Sequence, residues 1–106
     1  MKIIWSDQAT YTWQQIAEYI YDKFGEKAMF DFRKETLENE SRIAEFPNIG
    51  TSLLSVRHKT IQFRYVLIAR LSKMIYHVDG ELIIIDLFWD TRMNPESLIK
   101  RLESTS

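Results

Sequence analysis

Residues Lys73 to Pro95, KMIYHVDGELIIIDLFWDTRMNP, hold two strand-like runs, Met74–Val78 and Leu82–Trp89, on either side of Asp79-Gly80. An Asp-Gly pair between apolar runs is a strong local signal for a two-residue hairpin turn. An antiparallel pair therefore seeds the fold. The second run does not fade into a turn but stops on Trp89-Asp90-Thr91-Arg92, an aromatic, a carboxylate and a guanidinium at the tip of an almost wholly apolar strand. A rigid strand end presents a charged group with precision. Arg92 either ion-pairs with Asp90 or reaches a partner.

Working outward, Ile61–Ala69 reads as the strand before this pair. Its odd positions Ile61, Phe63, Tyr65, Leu67 and Ala69 make a core face, and Arg64 and Arg70 lie opposite with Val66 and Ile68. In the last strand Ile83, Ile85, Leu87 and Trp89 alternate with Ile84, Asp86, Phe88 and Asp90. Thr51–Thr60 reads as a loop, and Pro95 starts a short helix to Glu103 with Leu98 and Leu102 facing in. Upstream, Lys2–Trp5 is a short strand and Ser6 an N-cap. Ala9, Trp13, Ile16, Ala17, Ile20 and Phe24 then recur at helical spacing, and Gly25 stops the helix. A second helix runs from Glu26 to Phe46, burying Ala28, Phe32, Thr36, Ile43 and Phe46, and ends at Pro47 and Gly50. The two helices form a hairpin.

This is an α+β pattern: an N-terminal strand, a two-helix hairpin packed on a three- to four-stranded antiparallel sheet, and a short C-terminal helix. At 106 residues one domain is expected, spanning 1–106. With no cysteine, neither a disulfide nor a thiolate metal site is available. No apolar run is long enough for a signal peptide or a membrane span, so a cytoplasmic protein is the expectation.

The net charge of −1 conceals an uneven distribution. No acid stands between Glu45 and Asp79, an interval that holds Arg57, Lys59, Arg64, Arg70 and Lys73 with His58 and His77. Such a stretch is either a solvated strand face or a local positive field that attracts phosphates or an acidic partner. Asp86 and Asp90 lack a third ligand at recognisable spacing, so no metal site is expected. The only three glycines form no phosphate loop, and no cofactor is expected. Phe88, Trp89, Arg92 and Met93 can make a projecting patch of the residue types that dominate binding energy. Alternatively, Phe88 and Trp89 close the end of the core.

The order of elements resembles the RelE/ParE superfamily of toxins from type II toxin–antitoxin modules, and several pieces match. Trp5-Ser6 opens the first helix, with Ala9, Ile16, Ala17, Tyr19 and Ile20 behind it. Phe46-Pro47-Asn48-Ile49-Gly50 closes the second. Phe63-Arg64-Tyr65 and Met74-Ile75-Tyr76-His77-Val78 build the sheet, and Asp90-Thr91-Arg92-Met93-Asn94-Pro95 is similar to the Arg-bearing C-terminal signature. The resemblance covers roughly residues 3–98.

It implies a growth-inhibiting toxin neutralised by a cognate antitoxin, with one of two targets. ParE-like members poison DNA gyrase; RelE-like members cleave mRNA in the ribosomal A site. Cleavage needs a base, an acid and cations around the phosphate, and Arg64, Lys73, His77 and Arg92 are the residues that would supply them. After His77, however, the sequence has no Tyr or His, one of which ribosome-dependent members usually carry near the end. The ParE-like reading is therefore preferred. Arg57, Arg64, Arg70, Phe88, Trp89, Arg92 and Met93 are its partner-binding residues, and enzymatic activity is left open. A detoxified member that retains only antitoxin binding is a further alternative. Apolar groups on the second sheet face make a homodimer possible, and no membrane partner is expected.

Overall fold

The computed structural model describes residues 1–105; Ser106 lies outside it. The element order is β1 (Lys2–Trp5), α1 (Asp7–Phe24), α2 (Glu26–Glu45), β2 (Thr51–Ser52), β3 (Arg64–Ile68), β4 (Ser72–Asp79), β5 (Leu82–Asp90) and α3 (Pro95–Glu103). The five strands form one sheet in the order β1-β5-β4-β3-β2. The α+β expectation holds, with a wider and mixed sheet. β1 lies parallel to β5, and the two-residue β2, within the stretch read as a loop, pairs with β3.

Local chemistry explains the helix ends. The Ser6 hydroxyl accepts from the Ala9 amide at 3.0 Å, and Asp7 sits in the first turn of α1 where the helix dipole favours it. Gly25 stands between α1 and α2 at φ 94°, a left-handed value that other residues resist. At the far end of α2, Gly50 is required by contact rather than torsion. A Cβ there would lie 2.6 Å from the Tyr76 hydroxyl and 2.9 Å from the Tyr65 carbonyl oxygen. The Gly50 amide donates to Tyr76 Oη at 2.9 Å and that hydroxyl donates to the Pro47 carbonyl at 2.8 Å, which fixes the corner to the sheet. Burial pushes the Tyr76 phenol above its ordinary pKa.

Two cores flank the sheet. Ile68, Met74, Tyr76, Ile83, Ile85 and Phe88 pack against the helical hairpin. Phe63, Ile75, Leu87 and Trp89 pack on the other side beneath Leu98 and Leu102 of α3 and the segment Leu53–Ile61. Much of the second sheet face is thus covered by the chain itself, and less apolar surface lies open there than the sequence suggested. Two further expectations change. The even residues Val66 and Ile68 of β3 face the hairpin, while of the odd set Ile61, Phe63 and Tyr65 join the core beneath α3 and Leu67 and Ala69 are exposed. The β4–β5 turn places Gly80, at φ 61°, first of its two central residues, between the paired Asp79 and Leu82. The turn therefore sits one residue later than Asp79-Gly80.

A β-bulge explains why β5 breaks its alternation. Ile75 pairs with Leu87 but Tyr76 pairs with Ile85, which leaves Asp86 as the extra residue. Ile83 and Ile85 face the hairpin while Leu87 faces α3, so the expected four-residue stripe is split between two cores. The outer edge of β5 beyond β1 is sealed by α1. The Ser6 hydroxyl donates to the Asp86 carbonyl at 2.7 Å, and the Phe88 amide donates to Thr12 Oγ1 at 2.9 Å. Two exposed aromatics depart from the expected stripes: Phe24 and Phe46 both lie on the surface.

Candidate functional site

Arg92 emerges from the turn after β5 and is held on three sides. Its Nε donates to Asp90 Oδ1 at 3.0 Å and its Nη2 to Asp90 Oδ2 at 2.6 Å, a bidentate pair. Its Nη1 donates to the Tyr19 hydroxyl at 2.6 Å, and the guanidinium carbon lies 4.5 Å from the Tyr19 ring centroid. The Arg92 amide also donates to Asp90 Oδ1 at 2.9 Å. Hydrogen bonding from Arg92 holds the Asp90 carboxyl below its ordinary range, against the opposing effect of burial. Asp90 and Tyr19 in turn raise the already high pKa of the guanidinium. The ion pair is therefore formed at every pH at which Asp90 is ionised. Half of the Arg92 side chain still faces solvent.

Tyr19 belongs to α1, one position off its buried stripe, and its ring meets Phe24 edge-on at 6.4 Å. Phe24 is 63% exposed and Met93 54% exposed. The same end of the sheet carries the β3–β4 hairpin tip. Thr91 Oγ1 donates to the Leu71 carbonyl at 3.1 Å, and its amide donates to the same oxygen at 2.9 Å. Arg70 is exposed at that tip. Arg70, Arg92, Met93, Tyr19 and Phe24 thus share one end of the molecule.

The other residues singled out in the sequence stand elsewhere. Phe88 and Trp89 are only 2% and 5% exposed, so they belong to the two cores and not to a projecting patch. They sit on opposite sides of the sheet because alternation resumes after the bulge. Arg64 donates through Nη1 to the Gly50 carbonyl at 2.8 Å and the Asn48 carbonyl at 3.2 Å, fastening the corner after α2. Lys73 lies over the Tyr65 ring at 4.6 Å on the α3 side of the sheet. Arg57 is exposed, and its amide donates to Glu103 of α3 at 2.8 Å.

His77 and Asp86 form a largely buried pair, Nδ1 to Oδ2 at 2.7 Å, beside the bulge at Asp86. Burial raises the Asp86 carboxyl above its ordinary value, and the His77 hydrogen bond partly offsets this. Phe63 lies edge-on between His77 and His58, at 5.7 Å and 5.9 Å. His58 Nδ1 accepts from the Thr60 and Ile61 amides at 3.2 Å and 3.1 Å, so it is the deprotonated nitrogen. Its Nε2 therefore donates to the Thr105 carbonyl at 2.6 Å. His58 is a clamp between the loop and the chain end.

Arg64, Lys73, His77 and Arg92 consequently do not converge. Arg64 serves the corner on the hairpin side, Lys73 and His77 lie on the α3 side with Ile75 between them, and Arg92 packs on α1. Asp86 and Asp90 each serve a neighbour rather than one another. Among the described residues no group of three or more His, Cys, Asp or Glu is arranged to hold a metal. Sequence reasoning found Arg92 but missed Tyr19 and Phe24 as its neighbours. Phe24, at the last turn before Gly25, satisfies the helical period whether it points in or out.

Comparison with known proteins then gives the family. A family model described as the ParE toxin of type II toxin–antitoxin system, parDE, matches residues 3–95. No curated protein matches the chain significantly. A solved structure described as the chromosomal ParDE toxin–antitoxin system from P. aeruginosa has the same fold. The TM-score is 0.65 at 16% identity, over 85% of this chain and 95% of that one. The family model spans every element from β1 to the start of α3, including the turn that carries Arg92, and the chain belongs to the ParE toxin family of type II toxin–antitoxin systems.

Proposed function

We propose that this toxin arrests growth by binding a protein target, DNA gyrase, through the Arg92 end of its sheet, and that a cognate antitoxin neutralises it. The observation that carries the reading is the constellation of exposed Arg92, Phe24 and Met93 around the half-buried Tyr19. Arginine, tyrosine and other aromatics are the types that concentrate binding energy at interfaces. The dispersal of the four residues that RNA cleavage would need supports the same reading. A phosphoryl transfer centre requires its acid, base and cations around one phosphate, and here they lie on two faces and one end.

One observation favours ribosome-dependent mRNA cleavage as the second reading. His77 is oriented through Nδ1 by Asp86, while its Nε2 has no partner among the described residues. That is the posture of a general base.

A pair of assays separates the readings. Purified protein is passed over immobilised gyrase subunits, and the same preparation is added to translating ribosomes followed by primer extension. Saturable gyrase binding with intact mRNA is expected. New 5′ ends spaced by codons would overturn the proposal in favour of cleavage. Absence of both, with no toxicity on induced expression, would identify a detoxified member that only binds antitoxin.

A further inference from the structure

We infer that the Arg92 end of the sheet is a docking site for a carboxylate flanked by apolar residues on a protein partner, with Arg92 as the anchor and Asp90 and Tyr19 as positioning residues. The inference rests on the reading of this toxin as one that acts by binding another protein, and it adds the chemistry of the group bound.

The first argument is a count of donors. A guanidinium has five N–H groups. Asp90 takes one from Nε and one from Nη2, and Tyr19 takes one from Nη1. Two remain, one on each terminal nitrogen, without a partner among the described residues. An N–H group on each terminal nitrogen can serve the two oxygens of a carboxylate. An arginine already fixed by two hydrogen-bonded neighbours, one of which also lays its ring against the guanidinium, loses little freedom when it engages a ligand.

The second argument is independent and comes from the β3–β4 tip. Ala69 and Arg70 both lie at positive φ, 54° and 56°, where a side chain is unfavourable. The tip is held by the Glu35 carboxylate, which accepts from the Ala69 amide, and by the Thr91 hydroxyl. The result is a second guanidinium, Arg70, exposed beside Arg92 with no side-chain hydrogen bond or ion pair among the described residues. The acids at this end are already engaged: Asp90 by Arg92, and Glu35 by the Ala69 amide. These two acids balance the two guanidinium groups in charge, but Arg92 and Arg70 keep N–H donors without a partner among the described residues, which suits an anionic acceptor. Phe24 and Met93, both more than half exposed, flank it with apolar surface. A carboxylate within an apolar peptide segment satisfies both requirements; a bare phosphate backbone satisfies only the first.

The test uses a random peptide display library, selected against the intact protein, so that no target need be known. Selected peptides are expected to carry Asp or Glu beside an aromatic or aliphatic residue. They should lose about tenfold or more in affinity on Arg92→Ala and Arg92→Lys, because lysine keeps the charge but not the fork. Arg70→Ala and Asp90→Asn should each weaken binding while the protein keeps its circular dichroism spectrum and still melts cooperatively. Chemical-shift changes on binding should centre on Tyr19 and the Arg92 Nε–H. Peptides without acids, peptides indifferent to both arginine substitutions, or no selectable peptide would overturn the inference. So would tighter binding of single-stranded RNA or duplex DNA at the same residues. Gyrase that fails to bind while the peptides behave as expected would remove only the choice of gyrase.

Discussion

Arg92 spends three of its five N–H donors inside the molecule, on Asp90 and Tyr19, and this settles how it should respond to substitution. Arg92→Ala leaves a carboxylate that is only partly buried, so the fold should survive, with a melting temperature within a few degrees of the parent. Toxicity on induced expression should be lost. Arg92→Lys is the sharper variant, since it preserves charge while removing the bidentate pair and the stacked plane. It should behave like alanine in the growth assay, and a fully toxic lysine variant would contradict the role given to the guanidinium. Acid offers a second probe. The folded state holds the Asp90 carboxyl below its unfolded value. The pair's contribution to stability is therefore complete above the unfolded pKa, about 4, and is lost as pH falls through the folded value. The difference in melting temperature between the parent and Asp90→Asn should accordingly shrink between about pH 5 and pH 2. A difference that stayed constant over this range would show that the pair does not hold in solution.

Among the elements, α1 contributes most, because it is both the buried partner of the sheet and the seal on the edge of β5. Thr12 supplies the one acceptor for the Phe88 amide where β1 has already ended. Thr12→Val keeps the shape but leaves that buried donor unpaired, so it should cost about 1–3 kcal/mol in urea denaturation. An unchanged midpoint would mean that the edge is not closed in this way. The corner after α2 tests crowding. Gly50→Ala should destabilise by about 1–3 kcal/mol, and the loss should persist in a Tyr76→Phe background. The Tyr65 carbonyl oxygen and Tyr76 Cε1 still lie 2.9 Å and 2.7 Å from the added Cβ.

The elements also show what could be read from sequence. Helix boundaries were legible because Ser6, Gly25 and Pro47 mark them chemically. The type of each strand was legible from runs such as Ile83-Ile84-Ile85. Which face of a strand met the hairpin was not, since the sheet has apolar residues on both sides and periodicity cannot say which core a residue joins. The bulge at Asp86 was equally hidden: an inserted residue leaves no local mark when its neighbours are all apolar. Arg92 was legible as a residue at a strand end. Its partner Tyr19 lies 73 positions away, and only the tertiary packing of α1 against β5 brings them together.

At the scale of the whole molecule, one sheet serves three separate ends. The hairpin side and the α3 side are both cores, and the end of the sheet that carries the β3–β4 tip and the Arg92 turn is left exposed. The basic residues that looked like one field in the sequence are divided among these regions. Arg64 serves the corner and Lys73 the α3 face, while only Arg70 joins Arg92 at the exposed end. No described helix is long and apolar enough to cross a membrane. The central claim is that the toxin acts by engaging gyrase through the Arg92 end. Its most direct test is gyrase-catalysed supercoiling of relaxed plasmid, titrated with the parent protein and with folded Arg92→Ala. The account predicts inhibition by the parent, none by the variant at the same concentration, and intact mRNA when the parent is added to translating ribosomes. Unaffected supercoiling by the parent, or equal inhibition by both proteins, would contradict it.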